Sequence, residues 1–367
     1  MIVMYAMDNL RLRESVGIVI NGDKVEFFKS NVREGITLKL NFPDILSLLQ
    51  RFDGKSSISS IANSYGGIDI IQLEQLAEFL KENFILIEQD LHYENEIIND
   101  KMRLVNLLED YFHSTSEVIQ AINKINHSKV MIIGLGAVGS NIATYLTKSN
   151  VGNLVLVDND IVEASNLHRQ YFFEEQVSKN KADSLRSSLE KINPDIKIST
   201  IKRFLTNNFF DEAEVPDKLD LIINCADEPN VDTTSYIISN YAMKHNIPHI
   251  IGGGYNLHLT LIGQTVIPFK SCCFMCFKSA LNIINKKDLK NVRGLYRENR
   301  KLGSFAPLSS IAASLASLDA FKILIGSLDT LQQTNKRIEF NMADFNFQIM
   351  EIERDPNCEW CAIYEKN

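Results

Sequence analysis

The spacing of apolar and polar positions changes character three times along the chain. From Val16 to Leu40 the two kinds alternate: Val16–Ile20, Lys24–Phe28 and Ile36–Leu40 read as half-buried strands, and Asn21-Gly22 between the first two is a hairpin turn signal. The period then lengthens to that of helices over 43–52, 57–65 and 71–84, punctuated by Asp53-Gly54 and Gly66-Gly67. Phe84–Glu88 closes this region as a further strand. Strands followed by three helices predict a small winged-helix-like domain over residues 1–90.

Residues 91–101 are polar and acidic and are expected to be a linker. The second domain, 102–367, is expected to open with a helix over 102–125. Short apolar runs then alternate with helical stretches: strand 129–133, helix 137–149, strand 153–158, helix 179–192, strands 196–203 and 219–224, helix 230–245, strand 248–252. That alternation predicts an α/β fold with a Rossmann-like, mainly parallel sheet and helices on both faces. Beyond Gly254 longer runs, 257–267 and 337–353, read as antiparallel strands around one helix at 307–325.

The 367 residues suffice for two domains, and a 45% hydrophobic share allows a large core. A formal net charge of −8 argues against a nucleic-acid surface. No uninterrupted apolar run of about 18 residues occurs, so no membrane span is expected. The apolar start is broken by Asp8, Arg11 and Arg13, unlike a signal peptide, and the expected location is the cytoplasm.

The first chemical signal is Gly134-Leu-Gly136-Ala-Val-Gly139, placed between a strand and a helix. Such a turn lets phosphate approach free N–H groups at a helix N-terminus. Gly134 is read as the tight turn, Gly136 as the point of ligand approach, and Gly139 as the site of close helix–strand packing. Asp158, at the end of the next strand, is placed to accept ribose hydroxyls. A nicotinamide oxidoreductase would use these same residues. It has no need of Asn166, Arg169 and Lys181, which follow the second strand and supply an amide, a guanidinium fork and an ammonium suited to a phosphate chain. Asp227 follows the run Leu219–Ala226 and would lie at the carboxyl edge of the sheet, where a carboxylate can hold Mg²⁺ against phosphates; its alternative is a helix N-cap.

Of six cysteines, four form the pairs Cys273-Phe-Met-Cys276 and Cys358-Glu-Trp-Cys361. Two such pairs make a four-thiolate site that leaves no open position, hence a structural Zn²⁺. Cys272 reads as a bystander and Cys225 as packing.

These motifs give residues 102–367 a resemblance to the ThiF/MoeB/E1 family of adenylating enzymes. The resemblance covers the glycine motif, Asp158-Asn-Asp160-Ile-Val-Glu-Ala-Ser-Asn166-Leu-His-Arg169-Gln170, Lys181, Asp227 and both Cys pairs. It implies ATP as cosubstrate, ribose on Asp158, phosphates held by Asn166, Arg169 and Lys181, and Mg²⁺ at Asp227, with Asp160 among the nucleotide-binding residues. It also implies a homodimer in which an arginine crosses to the other nucleotide site, and Arg103 is the nearest candidate. The N-terminal domain is similar to the recognition elements of ribosomal peptide natural-product pathways, which take a leader peptide as an added strand. In that branch the expected reaction is adenylation of a carboxylate in a ribosomal precursor peptide, a Glu side chain, followed by intramolecular trapping to a cyclised product. Adenylation of the peptide C-terminus ending in a phosphoramidate is the alternative, and activation of a sulfur-carrier or ubiquitin-like protein is another. Family members that form thioesters carry a cysteine where this chain has Phe277–Ser304, a segment without one. The basic stretch 281–303 is expected to be a solvated loop, or else a lid over an acidic peptide.

Overall fold

The structure is a computed structural model that describes residues 9–40, 44–66, 68–288 and 303–364. The chain divides into two compact units, up to Asn123 and from Lys124 onward. Residues 289–302, most of the expected basic loop, lie outside the described residues.

The first unit holds two small sheets and a set of helices. Strands β1 (Leu10–Leu12), β2 (Val16–Asn21), β3 (Lys24–Lys29) and β4 (Glu34–Lys39) come first. They are followed by α1 (Ile45–Gln50), α2 (Ile58–Tyr65), α3 (Ile70–Glu82), β5 (Leu86–Glu88) and α4 (Asn95–Glu109). β2, β3 and β4 form an antiparallel sheet, with Gly22 in the left-handed region at the turn (φ 64°). Period-2 alternation turns Val25 and Phe27 inward against Leu48, Ile61, Leu73 and Leu80. Asp44, Ser57 and Asp69 cap the three helices by accepting backbone N–H bonds.

Two features here differ from the sequence expectation. β1, too short to show a period, pairs antiparallel with β5. And α4 begins at Asn95, inside the polar stretch expected to be a linker. What ties α4 down is ionic as well as apolar. Glu109, at its C-terminal end, is buried and takes bonds from Arg11 and from the Tyr93 hydroxyl (2.8 Å). Buried Arg13 donates to the carbonyls of Leu86 (3.1 Å), Glu109 and Phe112 (2.8 Å), satisfying helix-end acceptors. Burial lowers Arg13 to about 10.

Helix α5 (Thr115–His127) leads to the second unit. There β6 (Lys129–Ile133), α6 (Ala137–Lys148), β7 (Asn153–Val157), α7 (Lys181–Ile192), β8 (Lys197–Ile201), the short α8 (Phe209–Glu212), β9 (Leu221–Asn224), α9 (Val231–Lys244) and β10 (His249–Ile251) alternate. After them come β11 (Gly254–Asn256), β12 (Leu259–Ile262), β13 (Gln264–Val266), α10 (Phe274–Asp288), α11 (Ala306–Ile325), β14 (Lys336–Asn341), β15 (Asn346–Glu351) and α12 (Glu359–Tyr364).

The main sheet has the order β13-β10-β9-β6-β7-β8, parallel except for β13. Its central strands β6, β7 and β9 are mostly apolar and buried, whereas the edge strand β8 carries Lys197, Ser199 and Thr200 and is partly exposed. Met131, Ile133, Val155 and Val157 share a core with Ile238 and Met243 of α9, while α6, α7 and α11 form a connected layer. The order reverses between β6 and β9, and in sheets of this kind ligands bind at that switch point, outside the carboxyl ends of the strands.

The run 257–267, expected as one strand, is divided among sheets. β11 and β12 join β14 and β15 in a separate antiparallel sheet, and the chain passes Gly263 before β13 returns to the main one. A Cβ on Gly263 would meet the Ile250 side chain at 3.0 Å and the Ile251 carbonyl oxygen at 3.3 Å, so the crossing is close-packed there. Helix α11 is long and apolar enough to cross a membrane by length and composition. Here it packs on α6 and β12, and its buried Asp319 accepts from Thr265 (2.8 Å) and from the Gln333 amide N–H (3.2 Å).

Candidate functional site

The glycine turn sits directly at the switch point. Gly134 has φ 86°, and a Cβ there would lie 2.6 Å from Ala226 N and Cys225 C, in the loop that follows β9. A Cβ on Gly139 would stand 1.9 Å from Gly134 O. A Cβ on Gly136 would meet nothing, so this is the one of the three whose missing side chain faces open space. Three glycines of one motif thus do three different jobs, and the loop of Asp227 is pressed against the turn.

Asp158 follows β7 and is fixed by two backbone donors, Leu135 N–H within the glycine turn (2.7 Å) and Asp160 N–H (2.8 Å). Burial raises its carboxyl above the usual range, opposed by those two N–H bonds and by the charge of Lys181. Lys181 opens α7, nearly buried, with Asn180 as the N-cap. Its ammonium pairs with Asp160 at 2.9 Å, and its own N–H donates to the Asp160 carbonyl at 2.8 Å. Asp160 is half exposed, so the ammonium is held at the rim by a carboxylate that water also reaches.

The segment between them holds two 3₁₀ turns, Ala164–Asn166 and Glu174–Gln176. Asn166 is buried: its side chain accepts from Glu163 N–H (3.0 Å), and its carbonyl accepts from the N–H groups of Arg169 (3.1 Å) and Gln170 (2.9 Å). The structure therefore gives Asn166 a loop-fixing role that the sequence did not suggest. The Arg169 guanidinium lies along this loop, donating to the Ser165 carbonyl (2.8 Å). Ser140 joins the loop to the glycine helix: its hydroxyl donates to Gly136 O (2.7 Å) and accepts from Tyr171 N–H (3.1 Å). Ser140 was missed in the sequence although it directly follows Gly139.

Asp227 is exposed in the loop after β9, and the N-cap of α9 is Asn230, which removes the capping alternative for Asp227. Cys225 turns its thiol inward, where burial pushes it up to about 12. Next to Asp158 in the chain, Asn159 lines a cavity of ≈ 310 Å³ with Lys202, Arg203, Phe204, Thr206, Phe209 and Glu212. These residues follow β8 at the carboxyl edge of the sheet. The sequence placed a strand there but offered no motif to mark them. Arg103 is exposed on α4, in the first unit.

The four paired cysteines converge. The sulfurs of Cys273, Cys276, Cys358 and Cys361 all lie within 4.8 Å of one another and all four residues are buried. Three of the sulfur pairs are 3.5, 3.8 and 3.9 Å apart. Four thiolates at the usual metal–sulfur length of 2.3 Å would be about 3.8 Å apart, so the set fits a tetrahedral ion. Cys272 stands aside, its thiol donating to the Ile352 carbonyl at 3.2 Å.

This geometry matches known proteins over most of the chain. Residues 113–360 match the ThiF family. The chain belongs to the ThiF family. It is an ATP-dependent adenylating enzyme of that family, on the fold described above. The molybdopterin-synthase adenylyltransferase of Escherichia coli K12 is 28% identical over 243 residues, 65% of this chain and 88% of the relative. Of relatives that join an adenylyltransferase to a sulfurtransferase the chain spans about half or less. Among solved structures, E. coli MccB with succinimide matches with a TM-score of 0.79 and 26% identity, covering 97% of this chain and 99% of that one. PaaA shares the fold, with a TM-score of 0.70, 22% identity, 93% of this chain and 99% of that one.

Proposed function

We propose that this ThiF-family enzyme activates a carboxylate of a ribosomal precursor peptide as an acyl-adenylate, with the first unit holding the peptide's leader. One observation carries the reading: the likeness to MccB extends over 97% of the chain, the first unit included, whereas the ThiF match starts at residue 113. MccB has been crystallised with ATP and with MccA.

In the proposed reaction the ribose hydroxyls bind Asp158 and the base enters the cavity beside Asn159. The phosphates lie over Gly136. Lys181 exchanges Asp160 for a phosphate oxygen, and Arg169 takes another. Asp227 would hold Mg²⁺, which supplies charge neutralisation on the polyphosphate. A peptide carboxylate oxygen attacks the α-phosphorus, the bond to the β-phosphate oxygen breaks, and pyrophosphate leaves. No side-chain base is required, because the carboxylate is already ionised at neutral pH. Catalysis then consists of alignment and of charge fixed before the reaction begins. A second copy of the chain would donate Arg103 to complete the site. The four thiolates would hold a structural Zn²⁺.

The absence of a cysteine from Phe277 to Ser304 supports direct consumption of the adenylate within the peptide. On the reading with a Glu side chain, an internal nucleophile closes a ring and AMP leaves. The greater likeness to MccB than to PaaA favours a second reading, in which the activated group is the peptide's C-terminus: the terminal Asn amide nitrogen attacks it, AMP leaves as an imide closes, and that nitrogen then attacks the α-phosphorus of a second ATP, pyrophosphate leaving, to end in a phosphoramidate. Incubation with MgATP and the short peptide encoded beside the gene, followed by mass measurement, separates them. With MgATP in excess, a final product lighter by water and free of AMP indicates ring closure on the Glu reading, and gain of an AMP moiety indicates the second reading. An unchanged peptide with no ATP–pyrophosphate exchange would overturn both.

A further inference from the structure

One nitrogen of the Arg169 guanidinium is already fully engaged. Nη1 carries two hydrogens. One points to the Ser165 carbonyl at 2.8 Å and the other meets His168 Nε2, also at 2.8 Å. A guanidinium only donates, so His168 must accept through Nε2 and carry its proton on Nδ1. Nε and Nη2 of Arg169 have no partner among the described residues. That leaves the Nε/Nη2 edge, a two-pronged fork of the shape that matches a phosphate. The backbone beneath is equally constrained, with Arg169 N–H on Asn166 O (3.1 Å) and Tyr171 N–H on Ser140 Oγ (3.1 Å).

We propose that His168 is a positioning residue for Arg169: it holds Nη1 with Ser165, so that the Nε/Nη2 edge is the one presented to the nucleotide's phosphates. His168 itself touches no phosphate in this arrangement. Its contribution is to reduce the rotamers that a long side chain must give up when the nucleotide arrives. The inference rests on the reading that Arg169 binds phosphate, and it makes no use of the peptide.

The test uses the full chain and the affinity for a non-hydrolysable ATP analogue, measured by calorimetry with Mg²⁺. His168→Leu removes the acceptor at an exposed position and leaves the fold intact. It should weaken binding about five- to tenfold, the size of one hydrogen bond. His168→Gln, whose Oε1 reaches to the same depth, should recover most of that loss. On an Arg169→Ala background, His168→Leu should cost nothing further, because the two residues act as one. Equal losses with and without Arg169 would mean that His168 meets the nucleotide or the fold directly. No loss in the single variant would remove the proposal outright. If nucleotide affinity is unmoved by Arg169→Ala itself, the phosphate reading fails and the positioning role falls with it; a protein that binds the analogue but never modifies a peptide leaves the positioning result standing.

Discussion

Two regions of the second unit gather ligating side chains, and they do so in opposite ways. Near the switch point the groups are spread over the loop after β7, the first turn of α7 and the loop after β9, partly exposed, and paired provisionally with one another: Lys181 rests on Asp160, and Arg169 on its own loop. In the cysteine cluster four thiols from two distant segments are all buried and all within 4.8 Å. The first arrangement has room and unspent donors, which suit a substrate that comes and goes. The second has neither room nor an open valence, which suits an ion that stays. Openness of the site, more than residue type, distinguishes chemistry from scaffolding in this unit.

That contrast can be broken most directly at Lys181. Replacing it by Ala should lower ATP–pyrophosphate exchange by about a hundredfold or more, since a fixed charge at the phosphates is lost, while the melting temperature stays near that of the parent. Exchange at the parental level would remove the phosphate assignment. The reverse pattern is expected of Cys358→Ser. Its metal content, measured by atomic absorption, should fall well below one zinc per chain, and unfolding free energy should drop by several kcal/mol. Full stability without metal would show the cluster to be packing alone.

How far the sequence could be read follows the same division. The glycine turn and the cysteine cluster were legible because their residues are constrained one by one: glycine where a Cβ would strike Ala226 or Gly134 O, with a carboxylate at the end of β7 bonded to the turn, and paired cysteines at fixed spacing. The main sheet was legible because its central strands are short, largely apolar and separated by helical periods. What stayed hidden depends on contacts between residues far apart. β1 is three residues long and acquires meaning only beside β5. α4 looked like linker because its N-terminal half is polar, and the carboxylate that anchors it pairs with Arg11, 98 residues away in the chain. The split of 257–267 between two sheets turns on how closely Gly263 approaches Ile250.

The anchor of α4 gives the next prediction. Glu109→Ala removes a buried carboxylate and leaves Arg11 and Tyr93 without it. Breaking such a set by one partner costs about 3–5 kcal/mol. The loss should appear as a lower melting transition and as weaker capture of the peptide leader, with affinity for the ATP analogue changed less than about twofold (a single bond's worth being several times that). Equal weakening of both ligands would mean that the first unit does not serve recognition separately.

The smallest effect concerns acid. His249 on β10 is wholly buried, with Nδ1 on the Ile247 carbonyl (3.0 Å) and no partner for Nε2 among the described residues. Burial lowers it from 6.5 to about 4. Between those values the unfolded chain binds a proton that the folded one refuses, so stability falls as pH drops from 6.5 toward 4. The full difference amounts to about 3 kcal/mol at the acid end and nearly nothing at neutral pH. Urea unfolding at pH 7 and pH 4.5 should therefore show a smaller loss for His249→Leu than for the parent. The Lys181–Asp160 pair at the open edge has a half-exposed carboxylate that water screens. An Asp160→Asn variant that flattened the slope instead would locate the acid sensitivity at the open site, and would reverse the distinction between an edge built to exchange partners and an interior built to keep them.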